Sequence, residues 1–336
     1  MTARPRLTPP IADIRRAVRV AIAGLPAGDL ILVALSGGPD SLALAAATAF
    51  EAPRAGLRAG AVIVDHGLQP DSADVAGAAS AAASALLLEP VLVRRVAVGG
   101  AGGPEAAARD ARYAALDAAR TEVGASRVLL GHTLDDQAET VLLGLGRGSG
   151  AASLHGMAPV TGVYLRPLLG IRRAQTIACC ADAGLLPWHD PHNADPAFTR
   201  VRVRGSVLPV LERELGPGVA EALARTADQL REDSDALDFF AAEIVEELAD
   251  HAEAGISLPV AALALNPAAL RQRLIRLAVR SEFHVSLGRT HTLEVARLVT
   301  DWHGQGPLDL PGIRVERRDG LIVFSATPSP STPTGG

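Results

Sequence analysis

The chain has 336 residues, a formal net charge of −5 and a hydrophobic fraction of 48%, so it is long enough for two domains and apolar enough for each to bury a core. We expect no membrane span and a cytoplasmic location, because neither a run of about 18 uncharged apolar residues nor a secretory signal is present. The cysteines, Cys179 and Cys180, are adjacent, which excludes a disulfide framework and the spacing of zinc or iron–sulfur sites. The chain has no lysine, which excludes Schiff-base chemistry on a side-chain amine.

A first amphipathic helix is predicted over 11–25, and the next feature is a buried strand that runs into a glycine-rich loop. Ile31–Leu35 is apolar throughout, and a helical segment begins at Leu42. In such a loop, glycines let the backbone approach a phosphate, and the N–H groups at the helix start bind it. The loop consists of Ser36, Gly37, Gly38, Pro39, Asp40 and Ser41. Asp40 suits magnesium, whereas an ordinary helix N-cap is the simpler alternative for the loop taken alone.

Further apolar strands alternate with helices. Strands are predicted over 61–64, 90–98 and 127–131, with an alanine-rich helix after the first and another helix opened by Pro104 after the second. This alternation predicts an α/β fold with a doubly wound parallel sheet, in which ligands bind at the carboxyl ends of the strands. Asp65 stands at such an end and is therefore a candidate for the nucleotide site.

Acidic residues follow the strand over 127–131. If a helix begins near Leu134, Asp135 stands four residues and Asp136 three residues before Glu139, so at least two of these carboxylates share one helical face. Like charges at this spacing cost stability unless a cation lies between them, which favours magnesium or an ammonium group. The alternative is a helix N-terminus whose acids simply suit the helix dipole.

Three arginines are candidates for contacts with phosphate. Arg109 and Arg112 are three residues apart and can form a guanidinium clamp, although a surface pair between Glu105 and Arg109 is the simpler alternative. Arg147 opens a second glycine-rich segment, Arg147–Gly150, which is a weak signal by itself.

The pattern changes after Leu215. Gly216–Gly218 is a break, helices are predicted over 219–250, 267–282 and 292–300, and a hairpin over 313–324 turns at Asp319-Gly320. We therefore expect a catalytic domain over 1–215, a helical linker over 216–250, a small α+β domain over 251–326 and a disordered tail over 327–336. Between Asn266 and Arg318 there are nine arginines and five acids, so the small domain is locally basic.

These segments, in this order, resemble the tRNA(Ile)-lysidine synthetase family, short form, of the ATP-pyrophosphatase (PP-loop) superfamily. The resemblance runs from about Leu30 to Leu211 and includes His132, the Asp-Asp-Gln-Ala-Glu-Thr segment that begins at Asp135, and Arg147–Gly150. It continues through 166–169 and 188–190 to Asn193, Asp195, Phe198, Arg200 and Arg204. The chain departs from the family pattern at Val201, His192 and Thr133.

The resemblance implies an ATP-dependent ligase that joins free L-lysine to carbon 2 of the wobble cytidine in isoleucine tRNA with anticodon CAU, through an adenylated intermediate. It implies ATP and Mg²⁺ at the loop, with Asp40 near the metal, and Asp65, Arg109 and Arg147 at the nucleotide. Asp136 and Glu139 are then expected to serve lysine, and His132 and Arg112 to assist the cytidine or the phosphate. The small basic domain is expected to contact tRNA, and a homodimer is left open.

Three alternatives remain open. A tRNA thiolase of the same superfamily would need reactive or cluster-binding cysteines. A small-molecule adenylating amide ligase would share the loop but would need no basic domain. A non-catalytic tRNA-binding protein would need neither the loop nor the acids.

Overall fold

The computed structural model describes residues 7–67, 71–96, 104–148, 151–188, 190, 195–252 and 255–327. The chain divides into two compact units, Met1–Leu230 and Arg231–Gly336. None of the helices in the described ranges has the length and apolarity that crossing a bilayer requires.

The first unit is built on a six-stranded sheet with the order β3-β2-β1-β4-β6-β5. Every neighbouring pair is parallel except β5 with β6, which confirms the predicted doubly wound α/β fold. β5 and β6 have two residues each and were not predicted, because so short a segment carries no periodic signal. The strands are β1 (Leu30–Ala34), β2 (Arg58–Asp65), β3 (Val91–Arg95), β4 (Arg127–Leu129), β5 (Val160–Thr161) and β6 (Tyr164–Leu165).

Helices cover both faces of this sheet. Ile31 and Val33 of β1 belong to one apolar core with α1 and α2, whereas Leu30 and Leu32 belong to a second core with α4. Cys179 and Cys180 are buried in α6. The helices are α1 (Pro9–Ile22), α2 (Pro39–Glu51), α3 (Ser72–Ala85), α4 (Pro104–Glu122), α5 (Leu134–Arg147), α6 (Arg173–Asp182), α7 (Thr199–Arg202) and α8 (Leu208–Leu215), with a π-helical turn at Val203–Val207.

The helix α9 (Val219–Leu248) begins in the first unit and ends in the second. The second unit contains a five-stranded antiparallel sheet with the order β7-β8-β11-β10-β9. The predicted hairpin is confirmed by β10 and β11, and Asp319 and Gly320 have the positive φ values of 50° and 79° that its turn requires. The remaining elements are β7 (Asp250–Ala252), β8 (Gly255–Pro259), α10 (Val260–Leu265), α11 (Ala268–Phe283), α12 (Arg289–Thr300), β9 (Leu308–Leu310), β10 (Ile313–Arg318) and β11 (Leu321–Ala326). The tail predicted to be disordered lies outside the described residues from 328 onwards.

Gly144 of α5 packs closely against the backbone of Ser153. A Cβ on Gly144 would lie 2.3 Å from the backbone oxygen of Ser153, whereas a Cβ on Gly77 of α3 would meet nothing within 4 Å. We therefore expect Gly144→Ala to lower the free energy of unfolding by about 1–3 kcal/mol. Gly77→Ala should raise it by about 0.5–1 kcal/mol, because alanine is the better helix former. Urea unfolding of both variants checks this, and equal stability of the two would contradict the packing at Gly144.

Candidate active site

The loop between β1 and α2 is held closed by serine hydroxyls. The Ser36 N–H donates to Ser41 Oγ at 3.2 Å, and the Ser41 hydroxyl donates to the Gly38 carbonyl at 3.0 Å. Gly37 has φ of +84°, which a side chain would strain, and Pro39 opens α2 immediately after Gly38. The first turn of α2 thus presents backbone N–H groups without helical partners next to a glycine turn, which is the arrangement that binds phosphate.

A cavity of about 380 Å³ adjoins this loop. Its size falls in the range of small-molecule sites. The Trp188 N–H donates to the Gly37 carbonyl at 2.9 Å and so holds a further wall of the cavity against the loop. The polar residues that line it are Ser36, Asp65, His66, Ser72, Arg112 and Asp190.

The end of β4 packs directly on the start of α2. A Cβ on Gly131 would lie 3.2 Å from backbone atoms of Asp40 and Ser41, so only glycine fits without displacement. This close approach brings the following residue, His132, and the start of α5 to the loop.

The cavity side of the site contains the cation Arg112 together with the carboxylates of Asp65 and Asp190. Burial lowers the pKa of Arg112, and the charge of Asp136 opposes this shift. The Nδ1 atoms of His66 and His132 are buried and have no hydrogen-bond partner in the same ranges. Unpaired buried nitrogens of this kind mark a place where a polar ligand can complete the bonding.

His132 is held neutral. Burial lowers its pKa to about 3, with further lowering by Arg112, and Asp136 acts in the opposite direction. Burial also lowers the pKa of His66. A neutral imidazole donates one hydrogen bond and accepts another, so His132 can orient or exchange a proton with a ligand at neutral pH.

The acids of α5 form the negative side of the site. Asp136 is 7% exposed and Glu139 is 0% exposed. Asp136 Oδ2 accepts from the N–H of Thr133 at 2.8 Å and from its hydroxyl at 2.9 Å, so the helix-capping interpretation holds for this oxygen. Burial alone would raise the pKa of Asp136, but Arg173 and the Thr133 N–H hold it below its usual value.

The cations between these acids are arginines of the chain itself. Arg204 donates to Glu139 from Nε at 2.6 Å and from Nη2 at 2.9 Å, and its Nη2 lies 3.3 Å from Asp136 Oδ1. Arg173 Nη2 lies 2.8 Å from the same Asp136 oxygen. Burial raises the pKa of Glu139, and Arg204 acts in the opposite direction.

Asp135 points to a different partner. Arg172 approaches it at 3.0 Å and also pairs with Glu221 at the start of α9, while the Arg173 N–H donates to Asp135 Oδ2 at 2.7 Å. Asp135 therefore anchors the start of α6 to α5 and stands apart from the buried pair.

Asp40 is engaged by the first turn of α6. Its Oδ2 accepts from Arg173 Nε at 3.1 Å, and its Oδ1 accepts a short hydrogen bond from the Thr176 hydroxyl. Burial raises the pKa of Asp40, and Arg173 opposes this shift. No group of three or more His, Cys, Asp or Glu residues that could hold a metal ion occurs within the described ranges.

The remaining predicted residues lie further from this cluster. Asp65 lines the cavity, and its carboxylate accepts from the Gly67 N–H at 2.9 Å, which lowers its pKa. Arg109 is exposed and lies over the Tyr113 ring at 5.0 Å. Arg147 is exposed at the opposite end of α5 from Asp136, and the following Ser149 and Gly150 lie outside the described residues.

Sequence reasoning missed Arg173 and Thr176. They stand 133 and 136 residues after Asp40, so no local pattern joins them to it. One signal was available: Arg172 and Arg173 put two cations at a helix N-terminus, where the dipole disfavours positive charge, and this calls for nearby carboxylates.

The arginines of α11 include one that pairs with an acid of another helix. Their spacing showed no acids among them, but Asp238 of α9 pairs with Arg273 at 2.8 Å, and Ser234 accepts from the same guanidinium at 3.1 Å. Arg273 is therefore part of the packing between two helices, whereas Arg280 and Arg289 are exposed.

Comparison with known families agrees with this geometry. Residues 14–211 match the PP-loop domain family, and residues 258–322 match the TilS substrate binding domain. A tRNA(Ile)-lysidine synthase of Leifsonia xyli subsp. xyli is 66% identical over 301 residues, which cover 89% of this chain and 91% of that protein. The chain belongs to the tRNA(Ile)-lysidine synthase family.

A tRNA(Ile)-lysidine synthase of Thermobifida fusca is also similar, with 55% identity over 95% of this chain and 98% of that protein. Membership in the lysidine synthase family confirms the expected PP-loop enzyme, with ATP and a tRNA as its ligands, over the thiolase, small-molecule ligase and non-catalytic alternatives.

Among solved structures, the U34-tRNA thiolase NcsA of Methanococcus maripaludis, with its [4Fe-4S] cluster, has a TM-score of 0.56. The alignment covers 66% of this chain and 80% of the thiolase chain, with 19% sequence identity. The likeness therefore concerns the fold alone.

The neutral state of His132 predicts a pH dependence of stability. Its ordinary pKa is 6.5 and its pKa in the folded protein is about 3. Below pH 6.5, His132 is therefore protonated in the unfolded chain and still neutral in the folded protein. This group therefore destabilises the fold as pH falls, by about 1 kcal/mol between pH 7.5 and 5.5. His132→Gln removes this contribution, and its unfolding free energy should fall less over that range in urea titrations. Parallel pH profiles for both proteins would contradict a neutral His132.

Proposed function

We propose that this chain ligates free L-lysine to carbon 2 of the wobble cytidine of isoleucine tRNA with anticodon CAU, with ATP converted to AMP and pyrophosphate. Family membership supports the reaction class. The observation that carries the proposal for this chain is that the phosphate loop and the buried pair of Asp136 and Glu139 share one ion-pair group, through Arg173. A ligase of this kind needs an anion site for ATP and a cation site for an amine next to each other.

The loop is proposed to hold the pyrophosphate leaving group. Backbone N–H groups at the start of α2, with Ser36 and Ser41, supply donors for phosphate oxygens. A bound magnesium ion would neutralise charge on the phosphates, and Asp40 is the carboxylate of the loop that suits it. One carboxylate fits magnesium that is held mainly by phosphates and water, because this ion keeps much of its hydration shell.

The cavity side of the site is proposed to serve the adenylation step. The cytidine O2 attacks the α-phosphorus, and the bond from that phosphorus to the bridging oxygen of pyrophosphate breaks. Arg112 lines the cavity beside the loop, and its guanidinium can stabilise the negative charge on the α-phosphate. Neutral His132 can hydrogen-bond to the cytidine ring or to the phosphate.

The acid pair is proposed to serve lysine. The amine attacks carbon 2, the bond from that carbon to the adenylated oxygen breaks, and AMP leaves. Asp136 and Glu139 are suited to bind an ammonium group or to accept a proton from it. Because Arg173 and Arg204 already pair with them, an ammonium group binds here by exchanging with a guanidinium.

Lysine incorporation into tRNA tests this assignment. With radiolabelled lysine, the wild-type chain should label CAU isoleucine tRNA only when ATP is present. Glu139→Gln should raise the KM for lysine by about tenfold or more and leave the KM for ATP nearly unchanged, because it removes one charge from the ammonium site. Asp135→Asn is the matched control, since Asp135 pairs with Arg172 and lies outside the buried pair.

An equal rise in both KM values for Glu139→Gln would move the acids to the magnesium site. Pyrophosphate release without tRNA would favour a small-molecule ligase, and the absence of any release would favour a tRNA-binding protein without activity.

The exposed arginines of the second unit are proposed to position the tRNA. Arg280 and Arg289 are exposed, and the region around them has more arginines than acids. Contacts with phosphate fix the position of an RNA without reading its sequence, so recognition of the CAU anticodon is assigned to the catalytic domain. The domain borders near 215, 250 and 326, the cytoplasmic location and a homodimer also stay proposals.

Reversal of the exposed charges tests the tRNA surface. Arg280→Glu and Arg289→Glu should weaken tRNA binding and lower the slope of log affinity against log salt by about one unit for each phosphate that the protein no longer neutralises. Arg54→Glu, an exposed arginine of the first unit, is the control. Filter retention across a salt series measures the slopes, and identical slopes for all four proteins would remove these arginines from tRNA binding.

A further inference from the structure

Arg173 joins two parts of the site that come from different helices. Its Nε lies 3.1 Å from Asp40 Oδ2 at the start of α2, and its Nη2 lies 2.8 Å from Asp136 Oδ1 at the start of α5. The side chain is 22% exposed, so little water competes with these contacts. One guanidinium therefore links the carboxylate of the phosphate loop to the carboxylate of the acid pair.

The anchoring of α6 does not require this side chain. The backbone N–H of Arg173 donates to Asp135 at 2.7 Å, and Arg172 binds the same carboxylate. The Thr176 hydroxyl also reaches Asp40. Since these groups fix the first turn of α6 to both neighbouring helices, the guanidinium of Arg173 is available for a different task.

We propose that Arg173 is a positioning residue that couples the nucleotide loop to the acid pair. A planar guanidinium can direct separate N–H groups at two carboxylates, whereas the compact ammonium of a lysine cannot span them in the same way. When Asp136 loses its charge, Arg173 pairs more strongly with Asp40. When Asp40 binds a ligand, Arg173 is released to pair more strongly with Asp136. This proposal rests on the proposed function, because it gives Asp40 and Asp136 roles in one reaction.

A double-mutant cycle on the full chain tests the coupling through nucleotide binding. Calorimetry with the magnesium complex of α,β-methylene-ATP compares the wild type, Asp136→Asn, Arg173→Met and the double variant. We expect Asp136→Asn to weaken binding of the analogue by about threefold or more when Arg173 is present, because Asp40 is then held more firmly by Arg173. With Met at position 173, the same change at Asp136 should leave the affinity nearly unaltered.

The controls separate coupling from a loss of structure. Arg172→Met removes a neighbouring arginine that contacts neither Asp40 nor Asp136, and in its background the effect of Asp136→Asn should remain. Arg173→Lys keeps the charge and, by its geometry, should behave as Arg173→Met in the cycle. Urea unfolding of each protein identifies a variant that fails to fold, in which case the lysine variant completes the cycle.

The outcomes are distinct from those for the proposed function. An effect of Asp136→Asn that needs Arg173 supports the coupling, and an effect of the same size in both backgrounds, or none in either, overturns it. The assignment of lysine to the acid pair is decided separately by the KM values of Glu139→Gln.

Discussion

Buried carboxylates must be paired, and the arrangement of this site depends on that constraint. Asp136 and Glu139 are almost completely removed from water, and an isolated charge there would cost several kcal/mol. The chain meets this cost with guanidinium groups, which stay charged at every pH that the fold survives and approach carboxylates with two N–H groups. Because the chain contains no lysine, every internal cation of this kind is an arginine, and a bound lysine would bring the only side-chain ammonium to the site.

The two sides of the site are therefore in different electrostatic states. On the negative side, the oxygens of Asp136 and Glu139 accept from Thr133, Arg173 and Arg204. On the cavity side, the buried Nδ1 atoms of His66 and His132 have no hydrogen-bond partner within the described residues. A polar ligand can bind the cavity side by completing bonds that are missing, whereas a cation on the negative side must replace a bond that exists. The ligand-free protein is therefore better prepared for a ligand that completes missing hydrogen bonds than for a cation that must displace an arginine.

The sequence predicted the parts of this arrangement that are local. Ser36–Ser41 carries its own signal, since glycines and serines between a strand and a helix can be recognised without the rest of the chain. The same holds for Asp136 and Glu139, whose spacing is a helix period. Asp135 could not be separated from them, because residues three and four apart on a helix are both neighbours, so Asp135 and Asp136 are equally good partners for Glu139 by spacing.

The parts that the sequence left open depend on distant contacts. Arg173 and Thr176 come to Asp40 only after the sheet has formed, and Asp238 comes to Arg273 from another helix. β5 and β6 are too short to show alternation, and their place is set by hydrogen bonding to β4. Each of these features is set by tertiary contacts, which override or add to a local sequence pattern.

The starts of three helices explain why the tertiary contacts at this site are so specific. Asp40 and Asp136 stand in the first turns of α2 and α5, where the helix dipole favours negative charge. Arg173 stands in the first turn of α6, where the dipole opposes its charge. A cation in that position is stable only if carboxylates from elsewhere come close to it. Convergence of the three helix starts supplies those carboxylates, so a residue that is unfavourable within α6 is stabilised by contacts with both the phosphate loop and the acid pair.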